Sequence, residues 1–150
     1  MKKKSCFIAL IALAFTVLVG SLTTPIFSQT VLPKYYSLIT GFCLNSNDKG
    51  DVYGSMCNDA NNQKWNEKPV SSDAFTFTNQ ETGQCLDSNR KGKVYTSKCN
   101  DSDNQKWVKP NDHSVTFKNV ATNQCLDNDK KGNVYTLKCN GGEYQKWERI

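Results

Sequence analysis

The stretch Cys85 to Trp107, CLDSNRKGKVYTSKCNDSDNQKW, decides how this chain reads, because it is written three times. Residues 43–65 run CLNSNDKGDVYGSMCNDANNQKW and residues 125–147 run CLDNDKKGNVYTLKCNGGEYQKW, with no insertion or deletion among the copies. Each copy closes on Gln-Lys-Trp, as Gln63/Lys64/Trp65, Gln105/Lys106/Trp107 and Gln145/Lys146/Trp147, and these hold all 3 tryptophans of the 150-residue chain. Eight residues before each Trp stands a cysteine (Cys57, Cys99, Cys139), and fourteen before that stands another (Cys43, Cys85, Cys125). Units of this length must share one core.

Outward from the repeats, residues 1–28 have the pattern of a secretory signal peptide: Lys2, Lys3 and Lys4, then an apolar run from Cys6 to Leu18. That run is short against the ~20 apolar residues of a membrane span. Cleavage is expected near Ser28, with an uncleaved N-terminal anchor as the alternative. Cys6 opens the apolar run, whereas a lipid-modified cysteine would close it. Residues 29–34 read as a short linker and 35–150 as a single domain. Without the signal's three lysines, 16 of the 19 basic residues face 14 acidic ones, a net +2 in place of +5. Neither that total nor any basic run points to nucleic acid.

Six of the seven cysteines lie in the repeats, an even number that reads as a disulfide framework in an exported chain. Only three of the possible pairings respect the repeat. The most local joins Cys43 to Cys57, Cys85 to Cys99 and Cys125 to Cys139, each closing a loop worth about 3 kcal/mol in the chain-entropy model. A metal site is disfavoured, because zinc ligands come in close pairs and His113 is the one imidazole. No cofactor is implied.

Strand signals fill the repeats. Ala74 to Thr78 and Ser114 to Lys118 alternate apolar and polar residues, and Val52/Tyr53, Val94/Tyr95 and Val134/Tyr135 mark a second strand. Asn-, Asp- and Gly-rich tracts such as Asn58 to Asn62 and Asn100 to Asn104 are turn chemistry. About four short strands in ~40 residues also suit a propeller blade, but a propeller needs at least about four blades. The expected fold is therefore all-β, a β-trefoil of three repeats (about 35–76, 77–117 and 118–150). The third unit lacks its last strand, and Tyr35 to Ser37 is spaced to supply it.

The series CLDSN, GxVYT, CN and QKW resembles the ricin B-type lectin trefoil, whose hallmark is the QxW repeat, and the resemblance covers residues 35–150. It implies sugar pockets built from an Asp two residues after the first Cys, an aromatic platform on the second strand, and an Asn-Gln pair entering QxW. A carboxylate and an amide fix adjacent hydroxyls while an aromatic face covers the apolar side of the ring. Carried over, the second repeat supplies Asp87, Asn104 and Gln105, the most intact set. The third supplies Asp127 and Gln145, with Tyr144 in place of Asn. The first supplies Asn62 and Gln63, with Asn45 in place of Asp.

The expected platform positions hold Ser55, Ser97 and Leu137. Two residues earlier, on the same strand face, stand Tyr53, Tyr95 and Tyr135. They are either shifted platforms or half-buried packing residues. Gln and Trp of each QxW are expected to share a strand face, with Trp a core anchor, Gln a support for loop backbone and pocket, and Lys outward.

The spacing Asp127/Asp129/Gly132, and its counterparts in the other units, imitates a calcium loop. A lysine stands at its fifth position (Lys49, Lys91, Lys131) and the closing acid is missing, so a hairpin turn is expected. No catalytic constellation emerges. The reading is a secreted, non-catalytic carbohydrate-binding module whose partner is a glycan or polysaccharide. Its alternative is a trefoil without sugar binding that acts as a protein-interaction or inhibitor module.

Overall fold

A computed structural model describes residues 31–109 and 114–150. The expected signal peptide and His113 lie outside the described residues. The elements in chain order are β1 (Tyr35–Ser37), β2 (Phe42–Ser46), β3 (Val52–Met56), β4 (Trp65–Pro69), β5 (Ala74–Asn79), β6 (Cys85–Ser88), β7 (Val94–Ser97), β8 (Trp107–Val108), β9 (Ser114–Val115), β10 (Lys118–Asn119), β11 (Gln124–Asn128), β12 (Val134–Lys138) and β13 (Trp147–Arg149). Short 3-10 turns at Asn61–Gln63, Asp103–Gln105 and Glu143–Gln145 precede β4, β8 and β13. The expected strand at Ser114 to Lys118 is divided into β9 and β10.

The fold is a β-trefoil. Each repeat contributes one hairpin (β2–β3, β6–β7, β11–β12), and the strand that begins at its Trp pairs antiparallel with a following strand. Trp65 lies opposite Asn79, and Trp107 opposite Asn119. The third partner comes from the chain's start: β1 pairs with β13, with Ser37 opposite Trp147 and Tyr35 opposite Arg149. The N-terminal strand thus completes the last repeat, as its spacing predicts.

The hairpins join in a ring. Thr96 N–H donates to Gly50 C=O at 2.8 Å, Thr136 N–H to Gly92 C=O at 2.9 Å, and Gly54 N–H to Gly132 C=O at 2.8 Å. Gly50, Gly92 and Gly132 have φ of +83°, +82° and +84°, and a Cβ on any of them would lie 2.6 Å from the neighbouring repeat's carbonyl oxygen. Both facts require glycine there. At the hairpin tips, Asn47, Asn89 and Asp129 accept backbone N–H bonds through Oδ1 from the residues two and four further on. The calcium-like spacing is therefore Asx-turn chemistry.

Disulfides link Cys43–Cys57, Cys85–Cys99 and Cys125–Cys139, with Cα separations of 5.0, 5.1 and 5.0 Å. This is the local pairing, and it fastens the open end of each hairpin.

Trp65, Trp107 and Trp147 are fully buried, and each indole N–H reaches a hairpin carbonyl: Leu44 at 3.1 Å, Leu86 at 3.0 Å and Leu126 at 3.2 Å. Tyr35, Phe77 and Phe117 meet edge to face, with ring centroids 4.8–5.6 Å apart. Two residues beyond each Trp, the equivalent positions hold Glu67, Lys109 and Arg149, and these converge. Glu67 pairs with Lys109 Nζ at 2.7 Å and Arg149 Nε at 2.8 Å, and it accepts the Tyr35 hydroxyl proton in a further bond.

Burial pushes the Glu67 pKa up, but hydrogen bonds from Lys109, Tyr35 and Arg149 outweigh it and hold the carboxyl below its ordinary value. A carboxyl with a depressed folded pKa stabilises the fold above its unfolded pKa, and that contribution is lost as pH falls through the folded value. Wild-type protein should therefore lose its stability advantage over Glu67→Gln as pH falls below about 4.5. Thermal melts of the two proteins across that range check this; a difference independent of pH would show that the ion triad does not contribute.

Candidate functional site

In each hairpin the residue two after the first cysteine faces a tyrosine directly across the strand pair: Asn45 opposite Tyr53, Asp87 opposite Tyr95, and Asp127 opposite Tyr135. Directly opposed side chains share a sheet face. Burial first, then the charge and hydrogen bonding of Asp87, raise the Tyr95 pKa. The same holds for Tyr135, with burial followed by the charges of Asp127 and Asp129. All three tyrosines are half-buried, and Tyr135 lines a cleft.

The glutamine of each Gln-Lys-Trp is fully buried. It ends a 3-10 turn instead of sharing a strand with Trp, and the turn still directs both side chains inward while Lys stays partly exposed. In the second repeat Gln105 Oε1 accepts the Asn100 N–H at 2.9 Å. Its Nε2 donates to Lys98 C=O at 3.0 Å, Ser97 Oγ at 2.8 Å and Asp87 Oδ2 at 3.0 Å. Ser97 Oγ donates to the same carboxylate oxygen at 3.0 Å. Ser97, expected from the resemblance as a missing platform, is instead a clamp on Asp87. Asp87 is only 4% exposed, and its Oδ1 is buried with no partner among the described residues. Asn104 is drawn aside, its amide donating to Ser88 C=O at 2.6 Å.

The first repeat has the same frame without the charge. Asn45 Nδ2 donates to Ser55 Oγ at 2.8 Å, and Gln63 Nε2 to the same oxygen at 2.9 Å. Asn62 is not brought to Asn45. It lines a separate polar cleft of about 320 Å³ with Ser46, Asn47, Asp48, Ala60 and Glu81.

The third repeat is built differently. Gln145 Nε2 donates to Asp127 Oδ2 at 2.9 Å and Lys138 C=O at 3.1 Å, but Leu137 replaces the serine clamp. Tyr144 replaces Asn, and Asn128 Nδ2 donates to its carbonyl at 2.7 Å. A cleft of about 260 Å³ opens here, and its lining includes Asp127, Asp129, Tyr135, Leu137, Asn140 and Tyr144. Leu137 is 48% exposed and Tyr144 37%. The resemblance does not pick out Tyr144, Leu137, Asp129 and Asn140 as lining; the signal for the first two was their joint departure from the other repeats. Among the described residues, no group of three or more metal-ligating side chains gathers.

The sequence profile of the ricin-type beta-trefoil lectin domain matches residues 34–147. No curated protein matches the chain. Among solved structures, a designed 3-fold symmetric protein, ThreeFoil, superposes with a TM-score of 0.72 at 20% identity, over 79% of this chain and 96% of that one. The exo-beta-1,3-galactanase 1,3Gal43A from Clostridium thermocellum superposes with a TM-score of 0.73 at 17% identity, over 82% of this chain. The match spans 30% of the galactanase, and both likenesses concern the fold.

Truncating Gln105 would leave the Asn100 N–H and the Asp87 carboxylate without their buried partner. Gln105→Ala should destabilise the protein by about 2–4 kcal/mol, and Lys106→Ala, which loses only a surface ion pair to Asp103, by less than about 1 kcal/mol. Urea unfolding of both variants measures the contrast; equal losses would deny the glutamine its organising role.

Proposed function

We propose, for a chain that belongs to the ricin-type β-trefoil lectin family, that it works as a secreted, non-catalytic carbohydrate-binding protein. The observation that carries this reading is the third-repeat cleft, whose lining joins a carboxylate held by a buried glutamine to two tyrosines. That is the donor and acceptor set with apolar faces that a sugar ring requires. In the second repeat Asp87, Tyr95 and Gln105 form the same frame in a tighter setting, with Asn104 at its edge. The first repeat offers Asn45, Tyr53 and Gln63, with Asn62 in the neighbouring cleft, but no charge. Related pockets on one rigid trefoil would raise affinity for a repeating polysaccharide through effective concentration.

Three disulfides fit an oxidising compartment, and a signal peptide over residues 1–28 would deliver the chain there. One observation favours the alternative of a protein-interaction or inhibitor module. Asp87 accepts bonds from both Ser97 and Gln105, where Asp127 accepts one from Gln145, so the second repeat commits more of its carboxylate to structure.

A glycan array separates the two readings. It should carry β-1,3-galactans, prompted by the galactanase that shares the fold, with xylans, glucans, and hexosamine polymers both acetylated and free. Binding is expected, and Asp127→Ala should weaken it by at least about tenfold, the loss of one charge-assisted hydrogen-bonding group. Silence on every surface would support the interaction module. Binding that survives Asp127→Ala together with Asp87→Ala would contradict the site assignment.

A further inference from the structure

The third-repeat cleft differs from the equivalent first-repeat cleft in joining its carboxylates to two tyrosines, where the first-repeat lining has Asp48 and Glu81 but no aromatic residue. Asn45 and Asn47 in the first repeat, and Asp87 and Asn89 in the second, become Asp127 and Asp129 in the third. The cleft lining therefore carries two carboxylates and no basic residue, since Lys130 and Lys131 on the hairpin tip are outside it. Asp127 is 4% exposed, and Gln145 Nε2 donates to its Oδ2. Asp129 spends its oxygens on Lys131 N–H, Asn133 N–H and Asn133 Nδ2. Those bonds hold its pKa below the ordinary value, so it is charged at neutral pH. Two tyrosine rings, Tyr135 and Tyr144, share the lining with these carboxylates.

Aromatic faces beside fixed negative charge are the arrangement that attracts an organic cation, because the ring quadrupole and the carboxylates act in the same direction. A neutral sugar uses the carboxylates only as hydrogen-bond acceptors, whereas an ammonium-bearing sugar also gains Coulomb energy from both. We propose that the third-repeat cleft selects sugars carrying a free ammonium group, such as the glucosamine units of a de-N-acetylated hexosamine polymer. The inference rests on the carbohydrate-binding reading and narrows its ligand class. Leu137 fits it, since replacing the serine clamp leaves an apolar wall and one less donor competing for Asp127.

The other repeats supply control substitutions. Asp129→Asn keeps the turn acceptor, as Asn47 and Asn89 show, and removes the charge together with the Oδ2 acceptor of Asn133 Nδ2. Tyr144→Asn restores the residue type of Asn62 and Asn104. The test is calorimetric titration of the full chain with glucosamine tetrasaccharide and its fully N-acetylated counterpart, with tetramethylammonium as competitor. The free-amine sugar should bind about tenfold more tightly than the acetylated one, a ratio that corresponds to a single well-placed charge interaction. Tetramethylammonium should compete, and the preference should collapse in Asp129→Asn and in Tyr144→Asn. Equal binding of both sugars, or a preference that survives both substitutions, would overturn the inference and leave the carbohydrate reading standing. No binding of either sugar, with a silent glycan array, would remove both.

Discussion

A fully buried glutamine amide ties the chain to its hairpin in every repeat. One end of Gln105 satisfies the Asn100 N–H and the other reaches Lys98 C=O and Asp87; Gln145 does the same with Asn140, Lys138 and Asp127. Two residues on, the tryptophan fills the core and donates its indole N–H to the carbonyl of the leucine beside that acid. The chain therefore holds each hairpin at two adjacent points, by a side chain that needs burial and one that needs full hydrogen bonding. An unsatisfied amide there would cost several kcal/mol. The positions of Asp87 and Asp127 thus follow from the same constraint that closes the repeat.

Where the repeats depart from one another, the departures occur in matched sets. Thr96 pairs with Gln84 and Thr136 with Gln124 through their side chains. The third equivalent is Gly54 with Phe42, whose Cβ lies 3.1 Å from where a Gly54 Cβ would be, so loss of the threonine makes room for the ring. Glu67, Lys109 and Arg149 occupy one symmetric position, and three like charges could not converge there. One acid between two bases can, and Tyr35 adds a hydroxyl where the equivalent Phe77 and Phe117 have none. Leu137 and Tyr144 form a third set, which opens the cleft around Asp127.

The fold was legible because the repeat displays the same decisions three times. Cysteine spacing named the hairpins, the invariant glycines named their turns, and the missing last strand pointed to Tyr35 to Ser37. The site was legible only in outline. Asp87 and Asp127 followed from the resemblance to the lectin repeat, and the tyrosines opposite them from period-two alternation along the strand. Gln105's bond to Asp87 did not, because it depends on a 3-10 turn that brings the glutamine back over the hairpin. Asn104 and Asn62 turn toward other groups for a similar reason: backbone carbonyls and neighbouring clefts compete for an amide, and adjacency in sequence does not decide that competition. The Glu67 triad was invisible as well, since its members stand on strands far apart in the chain.

Gln145 holds Asp127 at the third-repeat cleft while Trp147 anchors the scaffold behind it. The side-chain N–H resonances of the three glutamines and three tryptophans report on each part directly. In an NMR titration with glucosamine tetrasaccharide, the Gln145 Nε2 protons should shift with saturation while the Trp147 Nε1 proton stays in place and the Gln63 signals do not move. Shifts confined to residues away from the third repeat, or a Trp147 signal that moves as far as that of Gln145, would contradict it.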